Sequence, residues 1–269
     1  MQTVVPIKQV PETSNVKMDP ETGTMIRTGV DAIINPLDLY AIEAALRLRE
    51  RVGGEVTVLS MGPRRAEEAV REAISMGCDK GILLSDRSFA GSDTWSTAYA
   101  LAQAIEQLDH FDLIICGERA TDGETGQVGP GIAAFLDLPV VTYVGFIDPL
   151  SGDGLRVRRL VEGGEEILRS SLPAVLTVVK EIAVPRLPTL RGKQRAKRTE
   201  VPRWGPEAID AKQEWLGLDG SPTRVVKIDR PKLARQGELI RAKDLVGVEQ
   251  AATRLAEFLR EGRYVRSGG

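Results

Sequence analysis

FDLIICGERATDGETGQVGPGIAAFLDL, residues 111–138, decides how the chain is read. The apolar run FDLIIC breaks at Gly117 into a polar turn, and beyond Pro130 the segment GIAAFLDL carries helical spacing. Strand, polar loop and helix make the half-unit of a parallel sheet, and in such sheets ligands bind outside the carboxyl ends of the strands. Pro130 fixes where the helix begins. In a helix interior its ring would clash and remove a bond, at a cost of about 3 kcal/mol, so it belongs in the first turn and the helix starts near Gly126 or Gly129. Two readings follow from these residues alone. In one, the free amides of that turn form an anion site to which glycine admits phosphate oxygens; in the other, Asp122 or Glu124 caps the helix in a plain surface turn. The loop matches neither GxGxxG nor the Walker pattern, which needs a Lys after its second Gly.

The same alternation runs through the first two-thirds of the chain. TVVPIKQV, EVTVLSM, GILLSD, FDLIICG and PVVTYVGFI read as strands separated by helical periods, which predicts βαβ units and a mainly parallel, doubly wound α/β sheet. In INPLDLYAIEAALRLRER, Asn35 reads as an N-cap and Pro36 as the first helical residue, with Leu39, Ile42 and Leu46 toward the sheet. PRRAEEAVREAISMG puts Ala66, Ala69, Val70, Ala73 and Ile74 on one face and stops at Gly77. DTWSTAYALAQAIEQL opens on Asp93 as cap and buries Ala98, Leu101, Ile105 and Leu108; Thr94 and Thr97 read as polar positions of its first turns, and Met61 as strand-end packing. A hairpin turning near Glu162–Glu165 leads to a last buried strand ending at Val179. One domain is expected over residues 1–182, followed by an arm, 183–269. The arm holds prolines 185, 188, 202, 206 and 222, the basic run RGKQRAKR, read as a solvated loop, and a final amphipathic helix with Val248, Ala252, Leu255 and Leu259 on its docking face.

Composition excludes several classes of function. With 36 basic and 38 acidic residues there is no overall field to attract nucleic acid, and no aromatics interleave the basic run. No segment reaches the roughly 20 apolar residues of a membrane span, and the start has no secretory pattern, which reads as a cytoplasmic protein. Cys78 and Cys116 have neither disulfide-framework nor zinc spacing. The single histidine, His110, reads as a surface or cap residue ahead of a strand, so no catalytic triad and no metal site is expected. Any chemistry here falls to a bound cofactor.

Taken in order, VPIKQVPET, INPLDLYAIEAALRLRE, LSMGP, AISMGCDKGILLSD, the loop, VRRLVEGGEEILRSSLPAVLT and PRLPTLRGKQRAKR resemble the β subunit of the electron-transfer flavoproteins over essentially the whole chain. The resemblance implies an adenine-nucleotide hydrolase-like fold paired with an FAD-bearing α subunit. It also implies an adenine nucleotide at the carboxyl edge of the sheet: AMP in the housekeeping branch, FAD in the electron-bifurcating branch. DGETGQVGP and GSDTWSTA are similar to the bifurcating branch's DGxTxQVGP and GxDTxxT. By resemblance, Pro6 (through its carbonyl), Asn35 and Met61 border the adenosine, and Thr94 and Thr97 approach the flavin side. Asp122, Gly123, Thr125, Gly126, Gln127 and Val128 line the phosphates, Cys116 is counted with the cofactor-binding positions, and Leu190 and Arg191 dock partners. The chain departs from the family pattern at Glu118, Arg119 and Thr121, and at Lys193 and Gln194, where an apolar pair is usual.

The function implied is hydride uptake from NADH by an FAD in this subunit. The electrons then divide between a high-potential path through the α-subunit flavin and a low-potential acceptor, ferredoxin or flavodoxin. The polar Lys193–Gln194 pair implies a quinone-linked oxidoreductase more than an acyl-CoA dehydrogenase as the further partner. Two alternatives stand beside this: a non-bifurcating carrier with structural AMP in the same pocket, and a non-redox adenine-nucleotide-binding module.

Overall fold

The computed structural model describes residues 1–12, 32–148, 154–226 and 240–262. The chain divides into two units, Met1–Val226 and Lys227–Gly269. The strands are β1 (Gln2–Ile7), β2 (Gln9–Pro11), β3 (Ala32–Ile34), β4 (Glu55–Met61), β5 (Lys80–Leu84), β6 (Leu113–Gly117), β7 (Val140–Ile147), β8 (Gly154–Val161), β9 (Gly164–Ser171), β10 (Ala174–Val178) and β11 (Arg203–Trp204). The helices are α1 (Pro36–Val52), α2 (Glu67–Met76), α3 (Thr94–Glu106), α4 (Val128–Phe135), α5 (Leu190–Arg198), α6 (Gly217–Gly220) and α7 (Leu245–Glu261).

Nine strands form one sheet in the order β11-β5-β4-β1-β6-β10-β7-β8-β9, while β2 and β3 pair separately. The sheet is parallel from β11 to β7 and antiparallel across the β7-β8-β9 meander. Its central strands are apolar on both faces because both faces are covered. Val5, Val58, Leu83 and Ile115 pack with Ile42, Leu46, Val70 and Ile74 of α1 and α2. Val4, Leu59, Leu84 and Ile114 pack with Leu101, Ile105 and Ile132 of α3 and α4.

The helix boundaries follow from their end residues. Pro36 is the first residue of α1, which ends at Gly53 with φ +74°. Gly77 stops α2 at φ +140°, where a Cβ would also lie 3.3 Å from the Leu46 methyls. Asp93 caps α3 by accepting from the Ser96 amide at 3.0 Å. Ile42 and Leu46 are buried as expected and Leu39 is partly so; Ala66 is buried too, in a 3₁₀ turn leading into α2.

The segment after 182 differs from the expected arm. The first unit runs on to Val226, because residues 183–226 are fastened to it by Arg186, α5 and β11 and by bonds linking Lys212, Trp215, Ser221 and Thr223 to the start of α3. The basic run is a helix, not a loop: α5 lies on α2, and Arg195 reaches the carbonyls of Ile74 in the last turn of α2 and of Cys78 just beyond it, both at 2.7 Å. Arg203 pairs with Glu67 at 2.6 Å where β11 joins the sheet beside β5. Arg186 grips Glu43 at 2.8 Å and Glu50 at 2.5 Å on α1. The Glu43 side chain is 3% exposed and also accepts from Arg47. Burial raises its pKa, but the bonds from Arg186 and Arg47 outweigh burial and hold the carboxyl below the usual glutamate value.

Within the second unit, Asp244 caps α7 by accepting from the Gly247 amide at 2.8 Å, and Val248 and Leu255 of its expected docking face are exposed. Among the described residues no helix is long and apolar enough to cross a membrane, and no cluster of three His, Cys, Asp or Glu is placed to hold a metal.

A chain cut after Val226 should therefore keep a cooperative thermal transition, whereas one cut after Ile182 should not, a comparison that calorimetry makes directly. Arg186→Ala leaves a buried carboxylate with one weaker partner and should cost about 3 kcal/mol in urea unfolding at pH 7. Because Glu43 is depressed in the fold, that difference should shrink as pH falls through its folded pKa, where the wild-type carboxylate also protonates.

Candidate nucleotide site

The strand order creates a crevice at one place. The chain leaves β1 through α1 to β4 on one side, and returns from β5 through α3 to β6 on the other. The connections diverge between the carboxyl ends of β1 and β6, the position where open α/β sheets bind ligands. The β1–β6 ladder pairs only Thr3 with Leu113 and Val4 with Ile114, whereas β1 stays paired with β4 as far as Ile7. Pro6, which has no N–H to extend a ladder, lies where β1 and β6 have parted.

The gap is filled by two buried polar side chains. Asn35 stands at the N-cap position of α1 but makes no cap bond. Its Nδ2 donates instead to Asp38 Oδ1 and to the Arg119 carbonyl, both at 2.9 Å, and its Oδ1 accepts from the Thr121 amide at 3.2 Å. Asp38 Oδ2 accepts from the Lys8 amide at 2.7 Å. Gly117 leaves room for this pair, since a Cβ there would sit 2.4 Å from Asp38 Oδ1. Burial pushes the Asp38 carboxyl up to about 7, against the bonds from Asn35 and Lys8 and the charge of Lys8. Farther out, Lys8 Nζ binds Asp122 Oδ1 at 2.7 Å.

The loop continues through a turn in which the Glu124 amide donates to the Ala120 carbonyl at 2.8 Å, with Glu124 in the left-handed region at φ 53°. Asp122, committed to Lys8, does not cap α4. Gln127 occupies the N-cap position without a side-chain bond, and the first backbone bond of the helix runs from the Gly131 amide to the Gln127 carbonyl at 2.9 Å. Among the described residues the amides of Thr125, Gly126, Gln127 and Val128 meet no acceptor. They lie at the positive end of α4, in the arrangement that accepts an anion. The self-capped turn is thus not the structure adopted.

Several of the residues expected at a site lie in or beside this loop. Gly126 takes φ +65°, with the position of a Cβ 3.3 Å from the Glu118 carbonyl; at Gly123 a Cβ would meet nothing within 4 Å, so its backbone is open to a ligand. Thr94 Oγ1 lies 3.2 Å from Thr125 Oγ1, which ties the start of α3 to the loop, and Thr97 follows one turn later, partly exposed. Met61 ends β4, partly exposed. Cys116 is the penultimate residue of β6, with its thiol pushed far above its ordinary value by burial and the Asp38 charge, so it is a packing group against the first turn of α4. Leu190 and Arg191 stand apart, on α5, with Leu190 82% exposed. Lys8 and Asp38 belong to the candidate site, and the sequence reading passes over both. Asp38 in NPLD reads as an ordinary acid in a first helical turn, and only its burial distinguishes it.

Gly126→Ala should bend or displace the cradle, since a side chain at that φ costs about 1–2 kcal/mol and its Cβ would crowd Glu118. We expect the purified protein to lose bound nucleotide while its thermal midpoint falls by only a few degrees, as read by nucleotide content and calorimetry on one preparation.

Comparison with known proteins bears on the same residues. The family model described as the electron transfer flavoprotein domain matches residues 22–209. The chain is 47% identical to the electron transfer flavoprotein subunit beta of Thermoanaerobacterium thermosaccharolyticum, over 95% of this chain and 98% of that one. It is 43% identical to the caffeyl-CoA reductase-Etf complex subunit CarD of Acetobacterium woodii, over 98% of this chain and 100% of that one. It is also 44% identical to the protein FixA of Azotobacter vinelandii, over 91% of this chain and 89% of that one. A doubly wound sheet with an open anion cradle at its switch point, joined to likeness of this extent, leaves one assignment: the chain belongs to the electron transfer flavoprotein family, as a β subunit.

Proposed function

We propose that this β subunit is of the electron-bifurcating type and holds FAD, not AMP, in the crevice between β1 and β6. The observation that carries the reading is the uncapped start of α4 with its run of free amides, extended by the open backbone at Gly123. A single exposed dipole contact is worth only about 0.3–1 kcal/mol, so a cradle of several amides suits the two linked phosphates of a dinucleotide. Asp122 would repel those phosphates if it were free; it is paired with Lys8 and Glu118 with Arg119, while Glu124 is exposed. The likeness to a subunit of a caffeyl-CoA reductase-Etf complex supports a role in an assembly of an electron transfer flavoprotein with a reductase.

In this reading Gly123, Thr125, Gly126, Gln127 and Val128 hold the diphosphate through main-chain N–H groups, Pro6, Asn35 and Met61 border the adenosine, and Thr94 and Thr97 face the flavin side. The flavin, when bound, supplies hydride acceptance from NADH and release of electrons toward the α-subunit flavin on one side and ferredoxin or flavodoxin on the other. The protein's share is geometry and electrostatics, and no side chain need transfer a proton. Partners other than the α subunit meet the chain at α5. There Val184, Leu187 and Leu190 are exposed aliphatics, and among the described residues Arg191, Lys193, Lys197 and Arg198 form no ion pair. This mixture fits a partner with a small apolar pocket in an acidic rim, in keeping with a quinone-linked oxidoreductase.

The test is cofactor content. After coexpression with its α subunit, the purified heterodimer should yield two FAD per pair on acid extraction. One FAD with one AMP would make the protein a non-bifurcating carrier, and no flavin would make it a plain nucleotide-binding module.

A further inference from the structure

We infer that Asp38 is a positioning residue for the nucleotide, setting the loop that cradles it by way of Asn35; this rests on reading the crevice as the nucleotide site. Both Asp38 oxygens face donors, the Lys8 amide on Oδ2 and the Asn35 amide on Oδ1. The second of these bonds decides which way the Asn35 amide points. With its nitrogen drawn toward Asp38, its remaining N–H meets the Arg119 carbonyl and its oxygen meets the Thr121 amide. A flipped amide would set oxygen against the Arg119 carbonyl and N–H against the Thr121 N–H. Asp38 thus links the end of β1 to the backbone at 119–121. That backbone leads through the Ala120–Glu124 turn into the free amides of Thr125 to Val128.

A carboxylate suits this task and harms the fold. As an anion it accepts both bonds; protonated, it carries a hydrogen between two donors with no acceptor to meet it. Yet burial pushes the group up to about 7 from an ordinary 3.8. Between those values the native state keeps a proton that the unfolded chain has released, so this group's contribution to stability falls as pH rises from about 4 to about 7. The charged and titratable groups that face it are Lys8, paired with Asp122, and Cys116 on β6, whose thiol burial pushes far above its ordinary value. Fold stability and loop order consequently respond to Asp38 ionisation in opposite directions. A carboxylate serving the fold alone would move both together.

The experiment uses the αβ heterodimer and follows release of bound FAD, and of AMP after exchange, from pH 6 to 8.5. Wild type should hold nucleotide more tightly as pH rises through about 7, while its thermal midpoint does not rise with it. Asp38→Asn should release nucleotide about tenfold faster, the value of one lost buried hydrogen bond, with no dependence on pH and a midpoint at pH 8 no lower than wild type. Asn35→Ala, which keeps Asp38, should loosen release to a similar degree, and the double variant should be no worse than either single one. Release at the wild-type rate and pH dependence in either variant overturns the inference, as does a fall in midpoint that tracks faster release. If wild type binds neither FAD nor AMP in this crevice, the nucleotide reading itself fails, an outcome separate from nucleotide held equally well by wild type and variants.

Discussion

Two parallel strands that share a ladder at Thr3 and Val4 and then part impose the condition on which the rest of this structure depends. Backbone amides and carbonyls near the opening lose the partners that a continuous sheet would give them, and buried groups of this kind have to be satisfied in some other way. Asn35 and Asp38 satisfy them: the Lys8 amide, the Arg119 carbonyl and the Thr121 amide all end on these two side chains. The strands therefore part at Lys8, Arg119 and Thr121 without leaving these three backbone groups unpaired. Gly117 belongs to the same solution, because any side chain there would displace the Asp38 carboxylate.

The elements beside the opening are not stable by themselves. At eight residues α4 is shorter than isolated helices that persist in water, and it lacks a side-chain cap. It holds because Ile132 and Ala133 are buried against the sheet, and because small residues let it come close to its neighbours. A Cβ on Gly131 would be 2.7 Å from Ala98 on α3, and one on Gly129 would be 2.7 Å from Thr177 on β10. Packing thus supplies the stability that a cap would otherwise give, and the amides at its start stay free for an anion. Local rules are broken here, at an uncapped helix, a buried acid and a left-handed Glu124.

How much of this was legible in the sequence varied with how local the deciding physics is. Pro36, Gly77, Asp93 and Pro130 fix helix ends through interactions a few residues long, and the ends lie where those residues put them. The basic run from Arg191 to Arg198 resisted because its helix depends on tertiary contact. Ala196 alone is buried, Arg195 works by bonding α2, and Gly192 is required because a Cβ would come within 2.0 Å of the Ser75 carbonyl. Similarly β11 is two residues between prolines, and only the exposed edge of β5 makes it a strand. At the site, the glycines and threonines of the loop were visible as a pattern. The role of Asp38 was not, since a carboxylate in a first helical turn is ordinary until its burial is known.

One helix joins the two proposed sites. The start of α1 carries the Asn35–Asp38 pair beside the loop at 119–124, and its later turns carry Glu43 and Glu50, which hold Arg186 at the root of the exposed Val184, Leu187 and Leu190. Over 17 residues α1 spans about 25 Å, so the crevice and the docking segment are mounted at two ends of one rod packed along β1 and β6. A buried, doubly bonded Glu43 is a costly way to fix a surface segment, and a loop closed by apolar contacts alone would have been cheaper. What the ion pair adds is orientation, since a guanidinium fork bonded to two carboxylates fixes direction where an apolar contact tolerates rotation. If the crevice holds a cofactor and the segment at Val184–Leu190 meets a partner, as proposed, fixed geometry between the two is what the buried charge provides.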